Sequence, residues 1–186
     1  MTTIERSVEL RCHPATRVDI VRAIRVLVHR TAGAELELSY RLEGDIPRIR
    51  IPSPTTPGVG AQLWQHTCFE VFIAMEGLDA YHEFNFSPSG EWAVQAFRCY
   101  RDAVRLASPI PPMHIATRAT DPLLELETSI RLESLSANHA NSVLRLGLST
   151  VVEADDGTLS YWALQHRTVR ADFHDANTFA LRLVVP

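Results

Sequence analysis

Proline and glycine divide this chain into short segments in which apolar residues alternate with polar ones, and that period of two constrains the fold more than any other feature. In residues 68–73, Phe69, Val71 and Ile73 alternate with Cys68, Glu70 and Phe72. In residues 83–87, Phe84 and Phe86 alternate with Glu83, Asn85 and Ser87. Each segment therefore has one apolar face. Residues 35–42 repeat the pattern through Leu36, Leu38 and Tyr40, and residues 123–132 through Leu124, Leu126, Thr128 and Ile130. Residues 18–29 fit a helical face through Ile20, Ile24 and Leu27 as well as an alternation through Ile24, Val26 and Val28, and their β-branched content favours a strand.

Further strands are expected over residues 48–51, 91–99, 115–117 and 179–185. A hairpin is expected from residues 143–152 and 159–165 around Asp155, Asp156 and Gly157, where Asp-Gly suits a type I′ turn. Residues 52–60 and 108–113 are too rich in proline for helix or central strand, and residues 133–142 have room for one short helical turn. About ten short strands with almost no helix predict an all-β chain, an antiparallel β-sandwich forming one domain over residues 1–186.

A chain of 186 residues buries roughly 70% of its unfolded surface and needs no disulfide or metal to hold a core. No apolar run approaches the roughly 20 residues of a membrane span. The first residues carry Glu5, Arg6, Glu9 and Arg11 where a secretory signal needs an apolar stretch, so a cytoplasmic location is expected. Cys12, Cys68 and Cys99 form no C-x-x-C pair, which argues against a zinc site and for reduced thiols. All 18 basic residues are arginine, as codon bias in a GC-rich bacterial genome would produce, and they are scattered in a chain of net charge −4. That distribution argues against nucleic acid as a partner.

The polar faces of the two informative segments are unusual. They carry Glu70, Glu83 and Asn85, with Trp64 just upstream and Trp92 just downstream. If the two strands pair with their core faces coinciding, Glu70 lies opposite Glu83 with Cβ atoms on the order of 5 Å apart. Such a pair would need a shared proton, an arginine such as Arg98, a cation or a hydroxyl-rich ligand. It would then be either part of a binding site or a buried Glu–Arg bridge. Carboxylates this close also suit a retaining glycosidase, but rigid adjacent strands without a cleft argue against catalysis. No phosphate loop, nucleophile elbow or Cys/His pairing is present, and His66, His82, His166 and His174 lack the spacing of a helical metal site.

Trp64-Gln65, the run from Glu70 to Ile73, Tyr81-x-Glu-Phe-Asn85 followed by Ser-Pro-Ser-Gly90, and Phe173-His174 before Phe179-Ala-Leu181 occur in one order along the chain. In this the chain resembles the DOMON-like group related to family 9 carbohydrate-binding modules. The resemblance runs from about Trp64 to the C-terminus. It implies a β-sandwich that binds sugars or haem. Sugar-binding members hold the ligand between aromatic rings beside acidic, amide and arginine side chains, and Trp64 and Glu70 match by motif position. Trp162 is a second aromatic wall by proximity to the terminal motif. Haem-binding members use axial Met, His or Lys, whereas this chain has no Lys and its Met residues form no recognisable pair.

The resulting expectation is a non-catalytic module that binds a carbohydrate or sugar-like polar ligand through Trp64, Glu70, Glu83, Asn85, Arg98, Trp162 and His174, without a metal. The alternatives are a haem-binding electron-transfer module, with His166 or Met113 at the iron, and an interaction domain whose pocket has degenerated.

Overall fold

The computed structural model describes residues 3–186. Its strands are β1 (Thr3–Cys12), β2 (Val21–Thr31), β3 (Glu35–Gly44), β4 (Gly58–Val59), β5 (Cys68–Met75), β6 (Tyr81–Phe86), β7 (Glu91–Phe97), β8 (Ala103–Val104), β9 (Ile115–Thr120), β10 (Leu123–Arg131), β11 (Leu144–Glu153), β12 (Leu159–Ala163) and β13 (Leu181–Leu183). One short helix, α1 (Ala137–Asn141), and a few 3₁₀ turns complete the described elements. None of the described helices is long and apolar enough to cross a membrane.

The strands form one curled sheet in the order β4-β7-β6-β5-β11-β12-β1-β2-β3-β10-β9, with β13 also on β11 and β8 on β7. Continuity depends on β1, which the sequence reading did not mark as a strand. Thr3 to Leu10 pair with β2, whereas Arg11 and Cys12 pair with Ala163 and Trp162 of β12, so a single strand passes from one half of the sheet to the other. Curling brings the alternating apolar faces together. Val26, Val28, Leu38, Leu42 and Leu126 from one half share a buried core with Phe69, Val71, Phe84, Phe86, Leu146 and Leu148 from the other. Each such side chain contributes roughly 1.5–3 kcal/mol by leaving water. Tyr40 of β3 reaches across this core, its ring 5.2 Å from that of Phe69 and its hydroxyl donating to the Glu70 carbonyl at 2.7 Å.

Several local expectations change. Residues 46–48 form a 3₁₀ turn, and the strand expected over residues 48–51 reduces to one isolated bridge, Ile49 with Ala154. Pro47 removes a ladder donor there. The β11–β12 turn is not type I′, because Gly157 takes a positive φ of 88° but Asp156 is not among the positive-φ residues. Gly157 N–H donates to Ala154 O at 2.9 Å and Ala154 N–H to Thr158 O at 2.8 Å, the pattern of a tight turn followed by a glycine bulge. Asp156 accepts the Thr158 N–H at 2.8 Å, so its carboxylate serves the turn.

The C-terminal segment gives β5 two buried faces. β12 pairs with Ser149 to Glu153 of β11, and β13 returns to the same edge of β11 at Leu144 to Leu146. Residues 164–180 make the excursion between them and lie over the outward face of β5 and β6. There Phe179 stacks on Phe72 at 5.5 Å, and a second cluster forms with Tyr81, Phe97 and Phe173. Gly147 admits this close approach, since a Cβ at that position would stand 2.5 Å from the Phe179 ring. Arg30, fully buried, ties the return in place by donating to the carbonyls of Leu183, Val184, His139 and Ala140 at 3.0–3.2 Å.

Candidate functional site

Beneath the excursion, on the face of the β5–β6–β7–β11–β12 half that points away from the core, lies a cavity of about 330 Å³. Glu70 and Phe72 of β5, Glu83 of β6, Gln95 and Phe97 of β7, Val151 of β11 and Tyr161 of β12 form its floor. Alternation puts these residues on one face, because every second residue of a strand points the same way. Ala171, Phe173 and His174 of the excursion, Trp64 and Arg101 complete the walls. The volume lies within the roughly 300–1,000 Å³ range of small-molecule sites.

Trp64 sits in a 3₁₀ turn, Leu63–Gln65, that starts from Gln62 at a φ of 54°. Leu63 points inward against Gly60, where a Cβ would come within 2.7 Å of the leucine side chain, and Trp64 is left 41% exposed at the cavity wall. Phe173 meets Tyr161 edge-on with centroids 6.0 Å apart.

The polar floor differs from the expected face-to-face acid pair. β5 and β6 do align their core faces, but Glu70 is opposite Asn85 and Glu83 opposite Phe72, so the carboxyls are diagonal neighbours. The loop between β5 and β6 decides this by pairing Ala74 with Tyr81, two residues away from the register that would oppose the acids. Asn85 fills the intervening place, donating from Nδ2 to Glu83 Oε1 at 2.8 Å while its Oδ1 lies 3.6 Å from Cys68 Sγ. Glu70, 2% exposed, accepts a hydrogen bond from the Ser149 hydroxyl at 3.3 Å.

Burial pushes the Glu70 carboxyl well above the ordinary carboxylate range, with the charge of Glu83 adding to the effect and the Ser149 hydrogen bond opposing it. Glu83 is also raised, first by burial, against the opposing effects of the Asn85 amide and the Arg101 charge. His174 lies 3.7 Å from Glu83 Oε2 through Nε2, and burial followed by the Arg101 charge lowers it to about 4, so it is neutral at pH 7. The tautomer follows from its other contact. Tyr81 OH accepts the Arg101 backbone N–H at 3.2 Å and lies 2.9 Å from His174 Nδ1, so the hydroxyl proton goes to Nδ1 and Nε2 carries the ring proton toward Glu83.

Arg101 is engaged elsewhere. Its Nη2 donates to Asp172 Oδ1 at 3.0 Å, and Tyr100 OH donates to Asp172 Oδ2 at 2.7 Å. Burial alone would raise the Asp172 carboxyl, but the bonds from Tyr100 and Arg101 hold it below its ordinary range. This cluster also fastens the excursion, because Asp172 Oδ1 accepts the His174 backbone N–H at 3.1 Å.

Of the residues expected from sequence, Trp64, Glu70, Glu83 and His174 line this cavity, and Asn85 lies just behind them. Trp162 does not. Its side chain faces the shared core at 7% exposure and donates from Nε1 to Ser160 Oγ at 3.1 Å; its neighbour Tyr161 has the opposite parity and faces the cavity. Arg98 also lies away from the cavity, paired in solvent with Asp102 at 2.7 Å, while Arg101 occupies the wall. Tyr161, Phe173, Gln95 and Arg101 were missed. Continuing the alternation through residues 159–163 would have exposed the Trp162 error, and Phe173 already stood beside His174 in the terminal motif. The residues named for haem also lie apart. Met113 is packed into the core, and His166 stacks edge-on with His13 and contacts the Arg11 carbonyl at 2.8 Å. Among the described residues, no three His, Cys, Asp or Glu side chains are grouped to hold a metal ion.

The sequence matches no protein-family model and no curated protein. Its fold is shared with a solved structure from Bacteroides uniformis that carries a provisional carbohydrate-binding designation, with a TM-score of 0.68 and 15% identity over 94% of this chain and 84% of that one. A family 9 carbohydrate-binding module from Caldicellulosiruptor kristjanssonii, solved with cellotriose, is similar with a TM-score of 0.45 and 9% identity over 82% of this chain and 74% of that one.

Proposed function

We propose that the protein is a non-catalytic binding module of the DOMON-like, family 9-related sandwich type, and that the cavity under residues 164–180 holds a carbohydrate or sugar-like polar ligand. The observation that carries this reading is the meeting, in one cavity, of the aromatic rings of Trp64, Tyr161 and Phe173 with the polar groups of Glu70, Glu83 and Gln95. Aromatic faces suit the C–H face of a pyranose, while carboxyls and amides bind its hydroxyls in fixed orientation. The designation carried by the Bacteroides uniformis structure agrees with this reading. A titration calorimetry screen of mono- and oligosaccharides tests the proposal: binding by the wild type, lost in Trp64→Ala, is expected. No binding of any sugar, or equal binding by Trp64→Ala, refutes it.

A further inference from the structure

The cavity floor is unusual in one respect: among the described residues, neither of its two acids is paired with an arginine. Glu70 has only the Ser149 hydroxyl, on Oε2, and Glu83 has the Asn85 amide and a neutral imidazole. Arg101, the basic side chain at the wall, is already paired with Asp172. Across the floor, the remaining titratable groups are Tyr161 of β12, Tyr81, whose hydroxyl is spent on His174 and Arg101, and Cys68, behind Asn85. Tyr40 contacts Glu70 from the core side through the backbone carbonyl only. A neutral sugar would leave two buried acids competing for one small volume, and neither a bridge nor a metal set relieves them. Around the acids stand five aromatic rings, Trp64, Phe72, Phe97, Tyr161 and Phe173, and ring faces attract cations.

Resting on the binding-module reading above, we infer that the ligand bears a protonated amine, as an amino sugar or comparable ammonium-bearing polyol does, and that this ammonium sits between Glu70 and Glu83. An ammonium offers three donors. It would satisfy both carboxylates at once with charge-assisted hydrogen bonds, while the ring carbons lie against the aromatic walls. The proton balance is simple. A carboxyl that holds its proton in the empty cavity gives it up to solvent when R–NH₃⁺ arrives, leaving a carboxylate paired with the ammonium and one H⁺ released. Affinity for the ammonium ligand therefore rises with pH until the amine itself deprotonates.

The test is calorimetry on the full chain with D-glucosamine, D-glucose, N-acetyl-D-glucosamine and n-butylammonium chloride, in two buffers of different ionisation enthalpy. Glucosamine should bind at least about tenfold more tightly than glucose or its N-acetyl derivative, with proton release seen as a buffer-dependent heat. Glu70→Gln and Glu83→Gln, each checked for a folded melting profile, should lose that preference. Equal binding of glucose and glucosamine overturns the ammonium inference and leaves the sugar reading standing. Binding of butylammonium with no sugar binding overturns the sugar reading and leaves the cation site. Failure of all four overturns both. A preference that survives the two Gln substitutions also overturns the inference.

Discussion

Glu70→Gln separates an uncompensated buried carboxyl from one held in an ion pair, because the two predict opposite stability profiles. The carboxyl is raised in the folded protein by burial and by Glu83, while in the unfolded chain it titrates near the ordinary value of 4.5. The folded state thus holds this proton more tightly. The stability associated with it is complete below pH 4.5 and is lost as pH rises toward the folded-state value. Each pH unit in that window removes about 1.4 kcal/mol, so two units, from pH 4.5 to 6.5, remove up to about 2.7 kcal/mol. Glutamine has the same shape, keeps a group that can bond Ser149 and does not titrate. Thermal melts of both proteins across pH 4.5–8 should therefore show the difference in Tm, variant minus wild type, growing by about 3–6 °C per unit until the folded carboxyl ionises. His82, His139 and His174 titrate in both proteins and drop out of the difference. A difference that does not change with pH, or a variant less stable by the same amount throughout, would refute the assignment of Glu70 as an uncompensated buried acid.

Arg30→Met should cost about 3–5 kcal/mol in urea denaturation, since it strips the donors from four backbone carbonyls at the return of the C-terminal strand; a cost under 1 kcal/mol would mean the carbonyls find other partners. Gly147→Ala should cost about 1–3 kcal/mol and speed proteolytic nicking within residues 164–178, because the new methyl meets the Phe179 ring; unchanged nicking would contradict the role given to that contact. Burial lowers His139 to about 4, with His82 and Arg30 adding, and His174 also stands at about 4. Unfolding therefore takes up protons between pH 6.5 and 4, and acidification across that window should cost the wild type up to roughly 3 kcal/mol for the pair, allowing for residual solvent contact. His139→Gln with His174→Gln should flatten this slope in acid melts, and an unchanged slope would show that other groups carry it.

Period-two alternation made most strands and the parity of the site legible. Glu70, Glu83 and Asn85 fall on one face in every register that keeps the apolar faces together, because parity survives a shift of two residues. The register itself was not legible, since the loop between Met75 and Tyr81 sets it and loop geometry leaves little trace in residue type. β1 escaped for a different reason. Arg6 interrupts the apolar series of Ile4, Val8 and Leu10, and the strand owes its place to pairing with β2 and β12. Trp162 was placed by proximity to the terminal motif rather than by parity, and its side chain faces the core. Arg101 was hidden in a turn whose positive φ of 54° no non-glycine residue announces.

The excursion explains how an ordinary alternating strand came to hold a site. Without residues 164–180, the outward face of β5 would be a solvated surface, and Glu70 and Glu83 would be unremarkable surface acids. Covering that face converts them into raised, partly satisfied groups at the wall of a cavity, and it adds Phe173 and His174 from the covering segment itself. Covering alone would have been served better by leucine at positions 70 and 83, since replacing buried charged groups with apolar ones of similar volume is often neutral or stabilising. Ala74, Tyr81 and Phe179, a few residues along the same face, show that solution in place. The acids depart from it only where the cavity opens, so their cost is confined to the part of the covered face that borders the cavity, and Tyr81, bonded to both His174 and the Arg101 backbone, joins the sealed part to the open part.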